Sequence, residues 1–178
     1  MGLVATAPAL YSATAMGGPK KGGRLRSAVA HGSTTDMLDP ATYENGFMST
    51  VGYALQNHLG EVDETGAMVP ELAESWEVSN GAKTWAFNLR QGVEFHNGKT
   101  LDSDDVIASF QHHMGDDTKS PAKGLLEQVE SMRKDGPNQV IFELTGGNAD
   151  FAYIAADYHI AILSLIHISE PTRPLYIS

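Results

Sequence analysis

Apolar and polar positions alternate along this chain in short bursts separated by turn signals, which predicts mixed α and β structure with mostly short strands. Residues 24–30 alternate polar and apolar, as a half-buried strand does, and Gly22-Gly23 gives them a flexible entry. Pro40 pushes Asp39 out of helical geometry, so residues 34–40 read as a loop. Phe47, Val51, Ala54, Leu55 and His58 then recur at helical spacing, predicting an amphipathic helix over 46–58.

Turn signals dominate the next stretch, at residues 63–66 and again at Ser79-Asn80-Gly81, where Asn-Gly favours a hairpin. Trp85, Phe87 and Leu89 alternate with Thr84, Ala86, Asn88 and Arg90, a strand with one buried face. Asp102 reads as an N-cap with Asp104 and Asp105 in the first turn, ahead of the apolar stripe Val106, Ile107, Phe110 and Met114. Residues 139–145 follow a turn at 135–138 as another strand. A short helix over 151–156 and a buried strand over 159–163 complete the pattern.

The two ends behave differently. Residues 1–21 are small, apolar and uncharged until Lys20, and Ala13-Thr14-Ala15 has the form of a signal-peptidase site. No basic region precedes it, so 1–21 reads as a signal-peptide remnant and leader; a flexible Ala/Gly-rich terminus is the plainer alternative. Met1-Gly2 with Thr6 also satisfies the loose myristoylation pattern, which is common by chance. Residues 164–178 show two prolines and no clear period, and resemble translated sequencing adapter. We expect them to be a non-native read-through tail without a packed role.

Charge and composition narrow the function. The chain has 178 residues and a formal net charge of -10, which phosphate backbones and anionic lipid heads would repel. Nucleic acid and membrane surfaces are therefore not expected as partners. There is no cysteine, which removes disulfides, thiolate metal sites and a cysteine nucleophile. His112 and His113 point about 100° apart on a helix, and neither has a histidine at i+4, so no helical zinc site is expected. His96, beside Asn97-Gly98, reads as a turn residue. Asp102, Asp104 and Asp105 lack the glycine and bidentate glutamate of a calcium loop. No phosphate-binding glycine motif and no nucleophile elbow occur. We expect no metal, no cofactor and no catalytic residues, hence a binding protein rather than an enzyme.

Three ordered blocks carry a resemblance: the stretch 69–79, with Pro70, Leu72-Ala73-Glu74-Ser75-Trp76; the stretch 84–98, with Trp85, Phe87, Leu89-Arg90, Gly92-Val93, Phe95-His96 and Gly98; and 101–110, with Asp104-Asp105-Val106 and Ser109. Together with Leu38-Asp39-Pro40 and residues 147–151, they resemble the family 5 solute-binding proteins, which include dipeptide-, oligopeptide- and nickel-binding proteins. The resemblance covers about 22–163.

That resemblance implies an α+β chain holding an incomplete type II periplasmic-binding-protein fold. Residues 22–59 would be the first strand and helix of lobe I, 60–157 the small inserted mixed α/β domain, and 158–163 the strand returning to lobe I. It implies a monomeric periplasmic receptor that captures a peptide and docks on a membrane permease of an ABC importer. A nickel chelate, opine or sugar ligand is the alternative within the family, and an unrelated soluble enzyme domain the alternative outside it. The segment after Leu-Asp-Pro and the returning strand would border the cleft, which puts Tyr43, Glu44, Asn45, Gly46, Tyr158 and His159 forward as ligand-binding residues. Chemically, Glu44 suits an ammonium, and Asn45 and Gly46 suit main-chain groups. Asn45 and Glu44 equally suit helix capping.

Overall fold

The computed structural model describes residues 21–169. Its centre is an antiparallel sheet in the order β3 (Ala73–Ser79), β4 (Thr84–Leu89), β6 (Gln139–Leu144), β5 (Val129–Lys134). β4 shows the expected alternation in full: Trp85, Phe87 and Leu89 are buried and the residues between them half-buried. In β6, Val140, Phe142 and Leu144 point to the same face, with Phe142 opposite Trp85 and Val140 opposite Phe87.

That face is covered by α2 (Ser103–Met114) and by the short α4 (Phe151–Ile154). Phe110 of α2 meets Phe142 with ring centroids 4.7 Å apart, and Phe151 of α4 meets it at 5.3 Å. Phe87 stands edge-on to Phe142 at 84°. These rings form the middle of the core, and each is fully enclosed.

α2 begins where the sequence predicts. Asp102 caps it and exchanges hydrogen bonds with Asp105 in a capping box. Ser103 anchors the helix start to the β5–β6 turn, its Oγ donating to the Gly136 carbonyl at 2.8 Å. The Asp105 carboxylate is wholly buried and accepts from the Lys99 ammonium, from Asp102 N and from Leu165 N. A buried charge is tolerated only when its oxygens are met in this way.

The β3–β4 turn takes positive φ at Asn80, Gly81 and Ala82. Gly147 packs directly beneath it, and a Cβ there would collide with the Gly81 carbonyl oxygen. Ahead of the sheet lie α1 (Gly46–Leu55) and the small hairpin β1 (Gly60–Val62) and β2 (Met68–Pro70), turned at residues 63–66 as expected. α3 (Lys123–Leu126) links α2 to β5.

Several expectations are revised. Residues 24–30 pair with no strand among the described residues and lie exposed, Leu25 by 92%. An alternating pattern becomes a half-buried strand only when a ladder and a core stand beside it. The helix expected over 46–58 ends at Leu55, because Gln56 turns extended and sends its side chain back to the Leu38 carbonyl. Residues 160–162 are buried as expected, but they form no strand: Ile162 N donates to the Asn57 carbonyl at 2.9 Å outside any ladder.

At the other end, Ser164 is buried and the start of α5 (Leu165–Ser169) is tied to α2 by the bond from Leu165 N to Asp105, contacts that the lack of period did not predict. The signal-peptidase and myristoylation patterns in 1–20, and the tail from 170 onward, lie outside the described residues.

Because Phe142 touches Phe87, Phe110 and Phe151, Phe142→Ala removes the shared contact of the core. We expect a loss of about 3–5 kcal/mol in urea unfolding. A loss under about 1 kcal/mol, the scale of a surface change, would show that these rings do not organise the fold.

Candidate functional site

The candidate residues sit where the first segment of the chain meets the segment that leaves α4. Asp39 opens a single helical turn (Pro40–Thr42): its Oδ1 accepts from Ala41 N at 3.0 Å and from His112 Nε2 of α2 at 2.8 Å. That long-range pair fixes the loop to the helix covering the sheet. Burial pushes the Asp39 carboxyl up, but the hydrogen bond and charge of His112, together with the Ala41 N–H and the charge of His113, outweigh it, and the carboxyl titrates below its ordinary value.

Tyr43 follows and turns inward. Its ring lies over Gly52 of α1, where a Cβ would come within 2.7 Å of the ring, and its phenol donates to Gln56 Oε1 at 2.9 Å. Burial first, with some opposition from the Gln56 bond, pushes that phenol up to about 12. The Tyr43 carbonyl is held from the other side by His159 Nε2 at 2.9 Å. His159 Nδ1 in turn lies 2.7 Å from Asp157 Oδ1, and the rings of Tyr158 and His159 are 3.7 Å apart.

The structure therefore divides the predicted residues into two kinds. Tyr43 and His159 are buried and join the two segments. Glu44 and Gly46 are exposed, and Asn45 and Tyr158 half-buried. Asn45 caps α1, its Oδ1 accepting from Met48 N at 2.9 Å, while its Nδ2 donates to Asp36 Oδ1 at 3.1 Å. The capping role thus falls to Asn45 and not to Glu44. Asp39, Gln56, His112 and Asp157 support the site, yet they stand far along the chain from their partners, or beside them, with no period to mark the pairing.

His112 and His113 do not share a ligand: His113 Nδ1 pairs with Ser120 Oγ at 2.6 Å on another face. Among the described residues, no group of three or more His, Asp or Glu is placed to hold a metal ion, and no helix is long and apolar enough to cross a membrane.

With this geometry in view, comparison with known proteins decides the family. The sequence profile of the bacterial extracellular solute-binding proteins, family 5 middle region, matches residues 67–174. The chain belongs to that family. It is a family of solute-binding proteins, not of enzymes. The peptide transport periplasmic protein SapA of Salmonella typhimurium is 31% identical over 144 residues, covering 71% of this chain and 26% of SapA. The dipeptide-binding protein of Escherichia coli is 35% identical over 112 residues, covering 53% of this chain and 21% of that protein.

Among solved structures, AgaA from A. tumefaciens superposes with a TM-score of 0.75 at 27% identity, covering 81% of this chain and 29% of AgaA. AppA of Bacillus subtilis, solved with a nonapeptide, gives 0.68 at 25%, covering 77% of this chain and 28% of AppA. The chain thus spans about a quarter of the length of the relatives it matches. The α+β architecture is an incomplete version of their periplasmic-binding-protein fold.

The histidines around the site make its stability depend on pH, with opposing signs. His113 is pushed down to about 4, by burial first and then by the charge of His112. The unfolded chain takes that proton near 6.5, so stability falls as pH drops from 6.5 towards 4, by up to about 3 kcal/mol. His112 is raised by the Asp39 hydrogen bond against the effect of burial, so its contribution is full below 6.5 and lost as pH climbs through its folded value. Asp39 contributes above its ordinary 3.8 and ceases to as pH falls through its lowered folded value. His113→Gln removes the first titration. Urea unfolding at pH 6.5 and 4.5 is expected to show a smaller acid loss in the variant than in the unaltered chain; an equal loss would contradict this assignment.

Proposed function

We propose that this chain is part of the solute receptor of an ABC importer, and that the receptor takes peptides. The supporting observation is a buried bond between His159 and the Tyr43 carbonyl, which joins the segment of Glu44–Gly46 to that of Tyr158, all four residues lying outside the buried core. Glu44 supplies a carboxylate for a ligand ammonium, Gly46 an unobstructed main chain, and Tyr158 an aromatic edge. The relatives named for dipeptide and peptide transport favour a peptide ligand. On this reading the receptor acts as a monomer in the periplasm and delivers its ligand to a membrane permease without covalent chemistry.

AgaA, solved with agropinic acid, supports the alternative that the ligand is an opine or another small solute. Fold likeness alone does not choose between the two, because ligand class depends on the residues at the cleft.

A receptor of micromolar affinity has about -8 kcal/mol of binding free energy. If the rest of a full-length member supplies roughly half the contacts, this chain alone retains about -4 kcal/mol, near millimolar. We therefore expect no calorimetric signal with di- or tripeptides at micromolar concentration. In a chimera carrying residues 22–163 in place of the matching stretch of the Escherichia coli dipeptide-binding protein, Glu44→Ala with Tyr158→Ala should weaken dipeptide binding at least about tenfold, as loss of a charge-assisted hydrogen bond does. Tight binding by the isolated chain, or unchanged affinity in a folded double variant, would mean that the ligand contacts another surface.

A further inference from the structure

Asparagine is followed by glycine at three places, Asn45-Gly46, Asn80-Gly81 and Asn97-Gly98. Such a step can react with itself. The glycine amide nitrogen attacks the asparagine side-chain carbonyl, and with no Cβ on the glycine little crowds the approach. The sequence ranks the three steps alike. The structure does not, because the reaction needs a free nucleophile and a side chain able to turn towards it.

Asn45 is half-buried and held at both ends of its amide. Its Oδ1 accepts from Met48 N at 2.9 Å as the cap of α1, and its Nδ2 donates to Asp36 Oδ1 at 3.1 Å. Cyclisation there would strip the cap from the helix. At Asn97 the nucleophile and the side-chain carbonyl are both engaged. Gly98 N donates to the Phe95 carbonyl at 2.8 Å, and Asn97 Oδ1 accepts from Lys99 N at 3.0 Å.

Asn80 differs on each count. Asn80 and Gly81 are both exposed. Among the described residues the Gly81 N–H meets no acceptor and Asn80 Oδ1 meets no donor. The Nδ2 makes one bond, donating to Thr84 Oγ1 at 2.8 Å, and Thr84 Oγ1 in turn donates to Glu143 Oε2 at 2.7 Å. The turn runs through positive φ at Asn80 (51°), Gly81 (64°) and Ala82 (63°). Asparagine and glycine adopt that region readily and alanine does not, so this end of the hairpin opens at lower cost than the strands behind it.

We infer that Asn80 is the residue at which this chain first deamidates spontaneously, while hydrogen bonds protect Asn45 and Asn97. Gly81 N gives its proton to hydroxide and bonds to Asn80 Cγ. The Cγ–Nδ2 bond then breaks, and the nitrogen leaves as ammonia after taking a proton from water. Water opens the resulting succinimide at either carbonyl, giving aspartate or, with the main chain rerouted through Cγ, isoaspartate. No oxidant or reductant takes part.

Either product puts a carboxylate where a donor faced Thr84, on the chain of bonds that ends at Glu143. Isoaspartate also lengthens the turn where it is closely seated. A Cβ on Gly147 would collide with the Gly81 carbonyl oxygen, and the Ala82 carbonyl accepts from Asn148 N at 2.9 Å. The modification therefore bears on the segment that leads into α4. It involves no ligand, so it stands apart from the reading of residues 44–46 as a peptide surface.

The test is peptide mapping by mass spectrometry of the full 178-residue chain, aged in mildly alkaline buffer either folded or in concentrated urea. In the folded chain each protected step has one more hydrogen bond to break than Asn80. Conversion at Asn80 should therefore lead conversion at Asn45 and Asn97 by about fivefold or more. In urea the three rates should come together, because the protecting bonds are gone. Asn80→Ser should abolish the early release of ammonia and leave the slower conversions at Asn45 and Asn97 as they were. Conversion at Asn45 or Asn97 that matches or leads Asn80 in the folded chain, the same lead persisting in urea, or early ammonia from Asn80→Ser would overturn the inference.

Discussion

Phe142 meets Phe87, Phe110 and Phe151 at ring distances of 4.7 to 5.6 Å, and the placement of the candidate site follows from that packing. Aromatic pairs of this kind contribute about 0.5–1.5 kcal/mol each beyond their buried area, and they prefer tilted or edge-on geometry. Phe110 brings α2 onto the sheet, and α2 then presents His112 to Asp39 and His113 to Ser120. Phe151 brings α4 to the same face, and the chain leaving α4 delivers Asp157, Tyr158 and His159 to the Tyr43 carbonyl. The site residues belong to loops, but the loops are held by elements that the rings fix.

A second layer of restraint is polar. Asp105, wholly buried, is met by Lys99, by Asp102 N and by Leu165 N, so a single carboxylate ties the 95–99 turn, the start of α2 and the entry to α5 together. Breaking such a buried pair by removing one partner typically costs about 3–5 kcal/mol, whereas the exposed Lys134–Asp104 pair contributes about 0–1 kcal/mol. Ser109 works beside it, accepting from Leu163 N at 2.8 Å. The chain at Leu163 and Leu165 is thereby pinned to α2.

Much of this was legible in the residues. β4 could be read from strict alternation and α2 from its cap and stripe, because both signals are local and both elements find a core at the spacing they advertise. The ordered blocks from Pro70 to Phe110 carry the family resemblance by themselves, since their order and spacing are properties of the chain alone. What could not be read was long-range. Residues 24–30 carry a strand pattern, but nothing among the described residues pairs with them. β5, with Glu130, Arg133 and Lys134 on a bulged edge strand, has too little alternation to stand out. At the site, the sequence brought forward two segments that the His159–Tyr43 bond joins, but not which of their residues are buried. Whether Tyr43 faces a ligand or the core depends on Gly52 and Gln56 in and after α1, and whether His159 reaches solvent depends on Asp157 and Tyr43.

The central claim is that Tyr43 and His159 clamp the two segments from within while Glu44, Asn45, Gly46 and Tyr158 face the solute. It is tested most directly by amide chemical shifts of this chain under millimolar dipeptide, where weak binding is still visible. The account predicts that the resonances of residues 44–46 and 158 move together along one saturation curve, while Tyr43, His159 and the Phe142 core stay fixed. Movement confined to another surface, or shifts in the core without shifts at 44–46, would contradict it.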